Sequence, residues 1–594
     1  MRGRNADNDT VQTQTQFTPT RTIINSRAGP VDLVITFLSA LDVYADIAGS
    51  GFSYITGKSG RLLLLVLGWI TSDTGDPAVW STDANGSILI HQISLQNPRP
   101  YSEAQQRAQW GTVYLAANRT SGTTWQTGVE INVRSTFIKS GTLTNTLDTD
   151  FRGVGDRWPT MAIAQDLGDI ATQAQVVTFA LGHSRDPAVK YFSEAGEQAR
   201  SLYFRSKFSS EVDAVRYAVY DYDNARAAST EFDNRIQNDA ARYSPDYASV
   251  VALATRQAFA SIEITLNGTG PAADLQDIKL FTKDAAVNDI GIAVRDGVFS
   301  SVDSLYSIMP MLIYTNPNLG NYALASFFEY PETRAQSYAP TTSVYVTRER
   351  TMRAAATANM IIMTYAFMRY TGDAKLAAKH YYTLKAWADY LVKNALVHSD
   401  QLTGDWFMTT GVSNQTNLAL KGLIALKSMV EIQDAVGMSN ESSTYEVRWM
   451  KKVNAGGRAE RGWAECGKVW TGTMDGAEQV GDEVQIRVEQ RAAAAAAWAR
   501  TQWATGTKSF GVPFNEQYSI TSIPWQYFTL AAMITGDTSL LNSAPFAPIK
   551  NFASKAQNKI YGLADVYDTI AGVASPGYGL RGNVGGSYAL LALG

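Results

Sequence analysis

The hydrophobic pattern of this chain changes period once, near Phe208, and that change limits its fold more than any other feature. Before it, "TPTRTIIN", "VDLVITFLS", "GSILIHQIS", "GTVYLAAN", "GVEINVRSTFI" and "QVVTFALGH" are short alternating or β-branched runs, parted by Gly, Asn, Asp and Pro. Side chains of a strand point alternately to its two faces, so many such runs with turn residues between them predict an antiparallel sandwich. After it, "EVDAVRYAVYDYDNARAASTEFDNRIQNDAARY" carries apolar residues at helical spacing, and Asp246 to Ile264 reads as a continuing helix. Further helices are expected over Thr351–Tyr370, Ala374–Ala395, Thr416–Val436 and Ser522–Ile534, with "TGD" closing two of them at Thr371–Asp373 and Thr535–Asp537.

Helix pairs in sequence predict a ring of helical hairpins, an (α/α) toroid, with apolar faces buried between its layers and a polar mouth at one end. The expected architecture is therefore a multidomain β + α chain. An antiparallel β-sandwich over residues 1–207 is followed by the helical toroid over residues 208–594. Within the latter, Glu446–Trp498 shows neither period until the alanine run Ala492–Ala497, which is helical by propensity.

Composition narrows the function. The 594 residues are 45% hydrophobic and 18% charged, a globular balance, and the net charge of -4 supplies no basic face for nucleic acid. The apolar run Leu62–Ile70 is far short of the ~20 residues that a membrane-spanning helix needs. The start "MRGRNADNDTVQTQTQ" has no apolar signal core, so no signal peptide is expected there. Six Asn-x-Ser/Thr acceptors, at Asn8, Asn85, Asn118, Asn267, Asn414 and Asn440, point the other way, toward a secretory history.

The single cysteine, Cys466, excludes an intrachain disulfide and reads as a small buried residue. As a nucleophile it would need a histidine partner, and His91, His183, His380 and His398 all lie away from it in sequence. "GFSYITGKS" resembles a phosphate loop, but Phe52 stands where the first glycine is required, so a plain turn is the better reading. There is no HExxH, CxxC pair or GxSxG elbow, and neither a metal nor a cofactor is expected.

Carboxylates and amides remain. "QLTGDWF" places Asp405 in a turn shortly before Asn414, Gln415 and Asn417 at a helix start. Such a cluster either caps the helix or binds a polar or anionic group at its N-terminus. "LADVYDTIAG" offers Asp565, Tyr567 and Asp568, and "SSVDSLYSIMPMLIYTNPNLG" offers Asp303, Tyr314 and Asn316 around a Pro-interrupted apolar stretch. Carboxylates at helix ends serve equally as general acids or bases and as caps, and residue type alone leaves both open.

Longer phrases carry a resemblance. "AGPVDLVITFLS", "QWGTVYLA", "DRWPTMAIAQDLG", "SRDPAVKY", "RSLYFRSKFSS", "DYASVVALATRQAF", "LIYTNPNLG", "FFEYPE", "NMIIMTYAFMRYTGD", "NQTNLALKG", "LADVYDTIAG" and "VGGSYALLAL" occur in this order. Together they resemble the fungal secreted glutaminase A family, from about residue 11 to the C-terminus. The resemblance implies a β-sandwich followed by a toroid like that of six-hairpin glycosidases. It also implies hydrolysis of glutamine to glutamate and ammonia outside the cell. From the family phrases, Asp405 and Asp568 are the expected mouth carboxylates, Asn417 and Tyr314 the polar contacts, with Asp303 and Tyr567 nearby. The expected ligand is small, glutamine or a sugar-like polar molecule, with no nucleic acid and no membrane partner.

The departures are as specific as the matches. The family's His-Asp-Leu-Gly loop, Gly-His and acidic stretch precede the phrase matching "NMIIM". Here "AQSYAPTTSVYVTRERTMRAAATA" replaces them, putting Arg348, Arg350 and Arg353 about where the acids would stand. Pro524 in "ITSIPW" replaces an expected Asp, and "GVPFNEQ" replaces a stretch with an Asp and an Arg. Three readings stand on these residues: a glutaminase A-like hydrolase weakened or silenced by the missing acids, a carbohydrate-active toroid enzyme, and a non-catalytic relic.

Overall fold

The alternating runs form strands and the helical-period runs form helices. In this computed structural model the described residues are 11–28, 31–42, 47–57, 61–67, 76–104, 107–168, 176–193, 195–268, 273–283, 300–330, 353–395, 416–439, 445, 500, 503–513, 519–534, 538–543, 545–555, 562–575, 578–579 and 581–593. Two units interleave along the chain. The first holds Met1–Tyr191, Glu197–Arg235 and Ile264–Ile278; the second holds Phe192–Gly196, Ile236–Glu263 and Lys279–Gly594.

In the first unit the strands are β1 (Val11–Phe17), β2 (Arg21–Ala28), β3 (Val31–Asp42), β4 (Ile47–Gly57), β5 (Arg61–Leu67), β6 (Ala78–Asp83) and β7 (Ile88–Leu95). A small hairpin, β8 (Glu103–Ala104) and β9 (Arg107–Ala108), precedes β10 (Thr112–Asn118), β11 (Thr123–Val129), β12 (Pro159–Asp166) and β13 (Val177–Ser184). Eight of them form one sheet in the order β1-β2-β3-β4-β13-β10-β7-β6, and three form a second, β11-β12-β5. Leu89, Leu115, Ala117, Val177 and Phe179 of the large sheet pack on Ile163 of the small one. Trp80 and Ile93 likewise pack on Met161. These contacts between inner faces are the core of an antiparallel sandwich. The other face of the large sheet buries Leu38, Ile90, Tyr114 and Ala180 against Val215, Ala218 and Val219 of helix α2 (Glu211–Tyr220).

One expected strand is half helix. "GVEINVRSTFI" leaves β11 at Val129 and continues as α1 (Glu130–Ser140). Val133 and Phe137, four residues apart, pack on Ala162 and Ala164 of the small sheet. Gly141 closes the helix in the left-handed region at φ 71°. Helical i,i+4 burial against an existing sheet outweighs the alternation that suggested a strand.

His91 of β7 lies in the sandwich interior, 2% exposed, with Nδ1 2.8 Å from Thr82 Oγ1 and Nε2 3.0 Å from the Ala162 carbonyl oxygen. Burial lowers its pKa from 6.5 to about 4, against the opposing bond to Ala162. The unfolded chain takes up this proton below pH 6.5 while the folded chain resists until about pH 4, so stability present above the window is lost as pH falls through it. The loss comes to about 3 kcal/mol. Denaturant unfolding at pH 7 and pH 4.5 is expected to show this drop in the native chain and not in His91→Gln; equal drops in both would remove His91 as the cause.

Helix α3 (Tyr222–Ala241) is followed by α4 (Pro245–Ala260), which starts where Ser244 accepts a bond from Asp246 N with Pro245 at its first position. The helix expected to reach Ile264 ends at Ala260, where the Ser261 hydroxyl donates to the Ala258 carbonyl oxygen at 2.7 Å. "IEITLN" is then a strand, β14 (Ile262–Asn267), whose β-branched alternation overrides the helical reading.

The helices that follow are α5 (Val302–Thr315), α6 (Pro317–Phe328), α7 (Arg353–Thr371), α8 (Lys375–Lys379), α9 (Tyr381–Asn394), α10 (Thr416–Ala435), α11 (Ile523–Ile534) and α12 (Ala547–Ser554). The stretch read as Pro-interrupted is one helix: α5 runs through Pro310, with eleven of its residues buried from Val302 to Ile313. The alanine-rich entrance to α7 is interior, with Ala354, Ala355, Ala356 and Ala358 at most 1% exposed. Such small side chains let neighbouring backbones approach, and α7 packs on α5, α9 and α10.

A short 3-10 segment, Gly582–Ala589, is buried along its whole length against α4, α5 and α11. Its glycines are required by close approach: a Cβ on Gly586 would lie 2.6 Å from Pro524 Cβ, and one on Gly585 2.8 Å from Ile308 Cγ1. Among the described residues no helix is long and apolar enough to cross a membrane.

Candidate functional site

Polar side chains on otherwise apolar elements of the second unit meet at one cavity of about 40 Å³. Ser301 caps α5 by accepting from Ser304 N, which sets Asp303 on the first helical turn, where the helix dipole favours a carboxylate. Asn359 on α7 is 1% exposed and donates from Nδ2 to Asp303 Oδ1 at 3.4 Å. Lys421 on α10 is 3% exposed, with its ammonium 4.9 Å from the Tyr306 ring centre and 5.8 Å from that of Trp525. Two aromatic faces thus hold a desolvated cation at the cavity wall.

The opposite wall comes from the C-terminal segment. Asp565 is fixed by its backbone, which accepts from Ile523 N at 2.8 Å and donates to the Tyr578 carbonyl oxygen at 3.0 Å. Its Oδ2 accepts from Arg581 Nη1 at 3.3 Å, and the Arg581 guanidinium lies 5.4 Å from the Tyr578 ring centre. Asn583, 7% exposed, completes this side. Pro524, standing where the resemblance expects an aspartate, also lines the cavity. The cavity therefore sets two carboxylates and two cations around a small polar space with aromatic walls.

The structure separates the residues singled out in the sequence. Asp303 lines the cavity, and so does Asp565, its neighbour in "LADVYDTIAG". Tyr567 is fully buried: its ring stacks on Phe552 with centres 3.5 Å apart, and its hydroxyl donates to the Phe510 carbonyl oxygen at 2.8 Å. Asp568 caps a turn, accepting from Ile570 N at 2.8 Å, Ala571 N at 2.6 Å and the Ser519 hydroxyl. Burial opposes its charge, but those bonds and Lys555 outweigh it and hold the carboxyl below the usual carboxylate range.

Tyr314 donates its hydroxyl to Asp239 and lies against Tyr588, ring centres 5.7 Å apart. Asn316 caps α6 by accepting from Asn318 N at 3.1 Å. Asn417 sits in the first turn of α10 with its side chain outside the described residues. Asp405, Asn414, Gln415, His398, Cys466 and the segment Glu446–Trp498 lie outside them altogether. No group of three or more His, Cys, Asp or Glu that could hold a metal occurs among the described residues.

Asn359, Lys421, Arg581 and Asn583 were not singled out in the sequence. Two of them had a signal there: Asn359 opens "NMIIM" and Lys421 closes "NQTNLALK", polar residues on helix faces that are otherwise apolar.

Comparison with known proteins shows what the chain is similar to. Residues 244–461 match the profile described as the Glutaminase A six helical-hairpin domain, and residues 67–239 match a domain of unknown function, DUF5127. The curated Glutaminase A of Aspergillus oryzae (strain ATCC 42149 / RIB 40) is 27% identical over 98% of this chain and 86% of its own length. Among solved structures, a bacterial glucoamylase complexed with acarbose is 11% identical over 99% of this chain and 85% of its own, with a TM-score of 0.49. A rhamnosidase from Klebsiella oxytoca with rhamnose bound is 8% identical over 98% and 96%, with a TM-score of 0.38. The ordered phrases and the six-hairpin match over residues 244–461 agree: the chain is similar to the glutaminase A proteins and carries a stretch that matches their helical-hairpin domain.

Proposed function

We propose that this chain is a glutaminase A-like amidohydrolase that converts glutamine and water to glutamate and ammonia outside the cell, at the cavity on its helical part, residues 208–594. The observation that carries the reading is the meeting of Asp303 and Asp565 with Lys421 and Arg581 around one small cavity. In amide hydrolysis a water oxygen adds to the amide carbon, the C–N bond breaks, and the nitrogen leaves as ammonia after gaining a proton. Asp303 would take the proton from the attacking water. The buried Lys421 ammonium would stabilise the oxygen that becomes negative, an effect strengthened by exclusion of water. The Asp565–Arg581 pair would hold the second wall and, through Arg581, meet the carboxylate of the substrate.

Ammonia release from L-glutamine tests the reading directly; none above the uncatalysed rate would end it. Asp405 is proposed as a further carboxylate of the site. Asp405→Asn is expected to reduce the activity by about 100-fold or more, and full retention would remove Asp405. Two exposed sequon asparagines, Asn85 and Asn118, at the same end of the sandwich support passage through a secretory route.

A second reading has its own observation. Two carboxylates on one cavity beside Tyr306, Trp525 and Tyr578 are also what glycoside cleavage uses. A panel of aryl glycosides assayed beside glutamine separates the two.

A further inference from the structure

Two amide oxygens among the described residues of this cavity have no hydrogen-bond partner. Asn359 Oδ1 and Asn583 Oδ1 are both buried, and neither finds a donor. Buried acceptors are almost always satisfied, because leaving one unmade costs its full desolvation. Two orphans lining the same small cavity are therefore an explained pair only if the cavity receives a donor. Asn359 is held in this aspect, since its Nδ2 is already given to Asp303 and its oxygen must face elsewhere. The carboxylates Asp303 and Asp565 line the same cavity, Asp565 paired with Arg581 and Asp303 bonded to Asn359 itself. Neutral acceptors beside carboxylates fit a compact cation with several N–H donors.

We infer that Asn359 and Asn583 form a seat for a primary ammonium group, the α-amino group of an amino-acid ligand. This deepens the hydrolase reading and rests on the same cavity, but it makes a separate claim: the site selects α-amino acids over their deaminated counterparts. A sugar offers hydroxyl donors without the positive charge, so the charge is what distinguishes the two ligand classes here.

Calorimetric titration with L-glutamate and with glutarate tests it, because the two differ in the amino group and neither has an amide to hydrolyse. The native chain is expected to bind L-glutamate about 10- to 100-fold tighter than glutarate, the range for charge-assisted hydrogen bonds. Asn583→Leu, which removes an oxygen that nothing else in the protein uses, is expected to bring the two affinities within about threefold while leaving glutarate unchanged. Asn583→Asp restores an acceptor and is expected to keep the preference. Equal binding of both ligands by the native chain overturns the inference. So does an undiminished preference in Asn583→Leu, or the same loss in Asn583→Asp. Ammonia release from L-glutamine, measured on the same samples, decides the hydrolase reading independently: a preference without ammonia release leaves the seat standing and removes the hydrolase.

Discussion

Asp303→Asn is expected to lower kcat for the proposed glutamine hydrolysis by about 100- to 10,000-fold, the usual worth of a general acid or base. The replacement is isosteric and keeps the oxygen that accepts from Asn359 Nδ2, so the wall of the cavity is retained while the proton acceptor is lost. The cap on α5 is made by Ser301 rather than by Asp303, so the helix start also survives. The expected signature is a fall in kcat with KM and melting temperature close to native, since the change removes an interaction realised in the transition state rather than in binding. Asp303→Glu, which keeps the carboxylate but moves it by one methylene, is expected to retain part of the activity. Native kcat in Asp303→Asn would take this residue out of the chemistry and leave it as a wall of the pocket.

Asp233→Ala destabilises the first unit by about 3 to 5 kcal/mol, the range for breaking a buried ion pair on one side. The Asp233 side chain is 1% exposed and closes the turn between β1 and β2. Its two oxygens accept from Thr18 Oγ1 at 2.6 Å, Thr20 N at 2.8 Å and Thr20 Oγ1 at 2.9 Å. They also accept from Arg21 Nε at 3.0 Å and Nη2 at 2.9 Å. Alanine leaves the Thr20 amide, two hydroxyls and a guanidinium without their acceptor. Substituting Arg21 as well is expected to recover part of the loss, because the cation is then no longer stranded. A denaturant midpoint that stays native in Asp233→Ala would show that the turn is held by other contacts.

Periodicity along the chain was enough to separate sheets from helices. In β7, "ILIHQISL" carries apolar residues that the large sheet buries, and the apolar face of α2 docks where its spacing puts it. It failed where one local pattern fitted two structures. "EINVRSTFI" alternates like a strand and also places Val133 and Phe137 one helical turn apart, and only the sheet beneath them decided between the two. "SIEIT" at the end of α4 was the converse, a helical continuation converted to a strand.

The site was legible in part. Asp303 and Asp565 stood out as carboxylates near helix ends, but so did Asp568, which spends its oxygens on a turn. Tyr567 and Tyr314 were conspicuous as polar aromatics, and each has an internal partner that no local pattern reveals.

The sequence by itself determined the order of sheets and helices and the resemblance to the glutaminase A family. These depend on neighbours within a few residues or on long shared phrases. The tertiary structure alone decided which polar residues meet. Asp303, Asn359, Lys421, Asp565 and Asn583 are spread over 280 residues and four elements, and what joins them is burial of the apolar faces on either side. That packing is non-directional and long-range, so it leaves no signature at any one of the positions that it brings together.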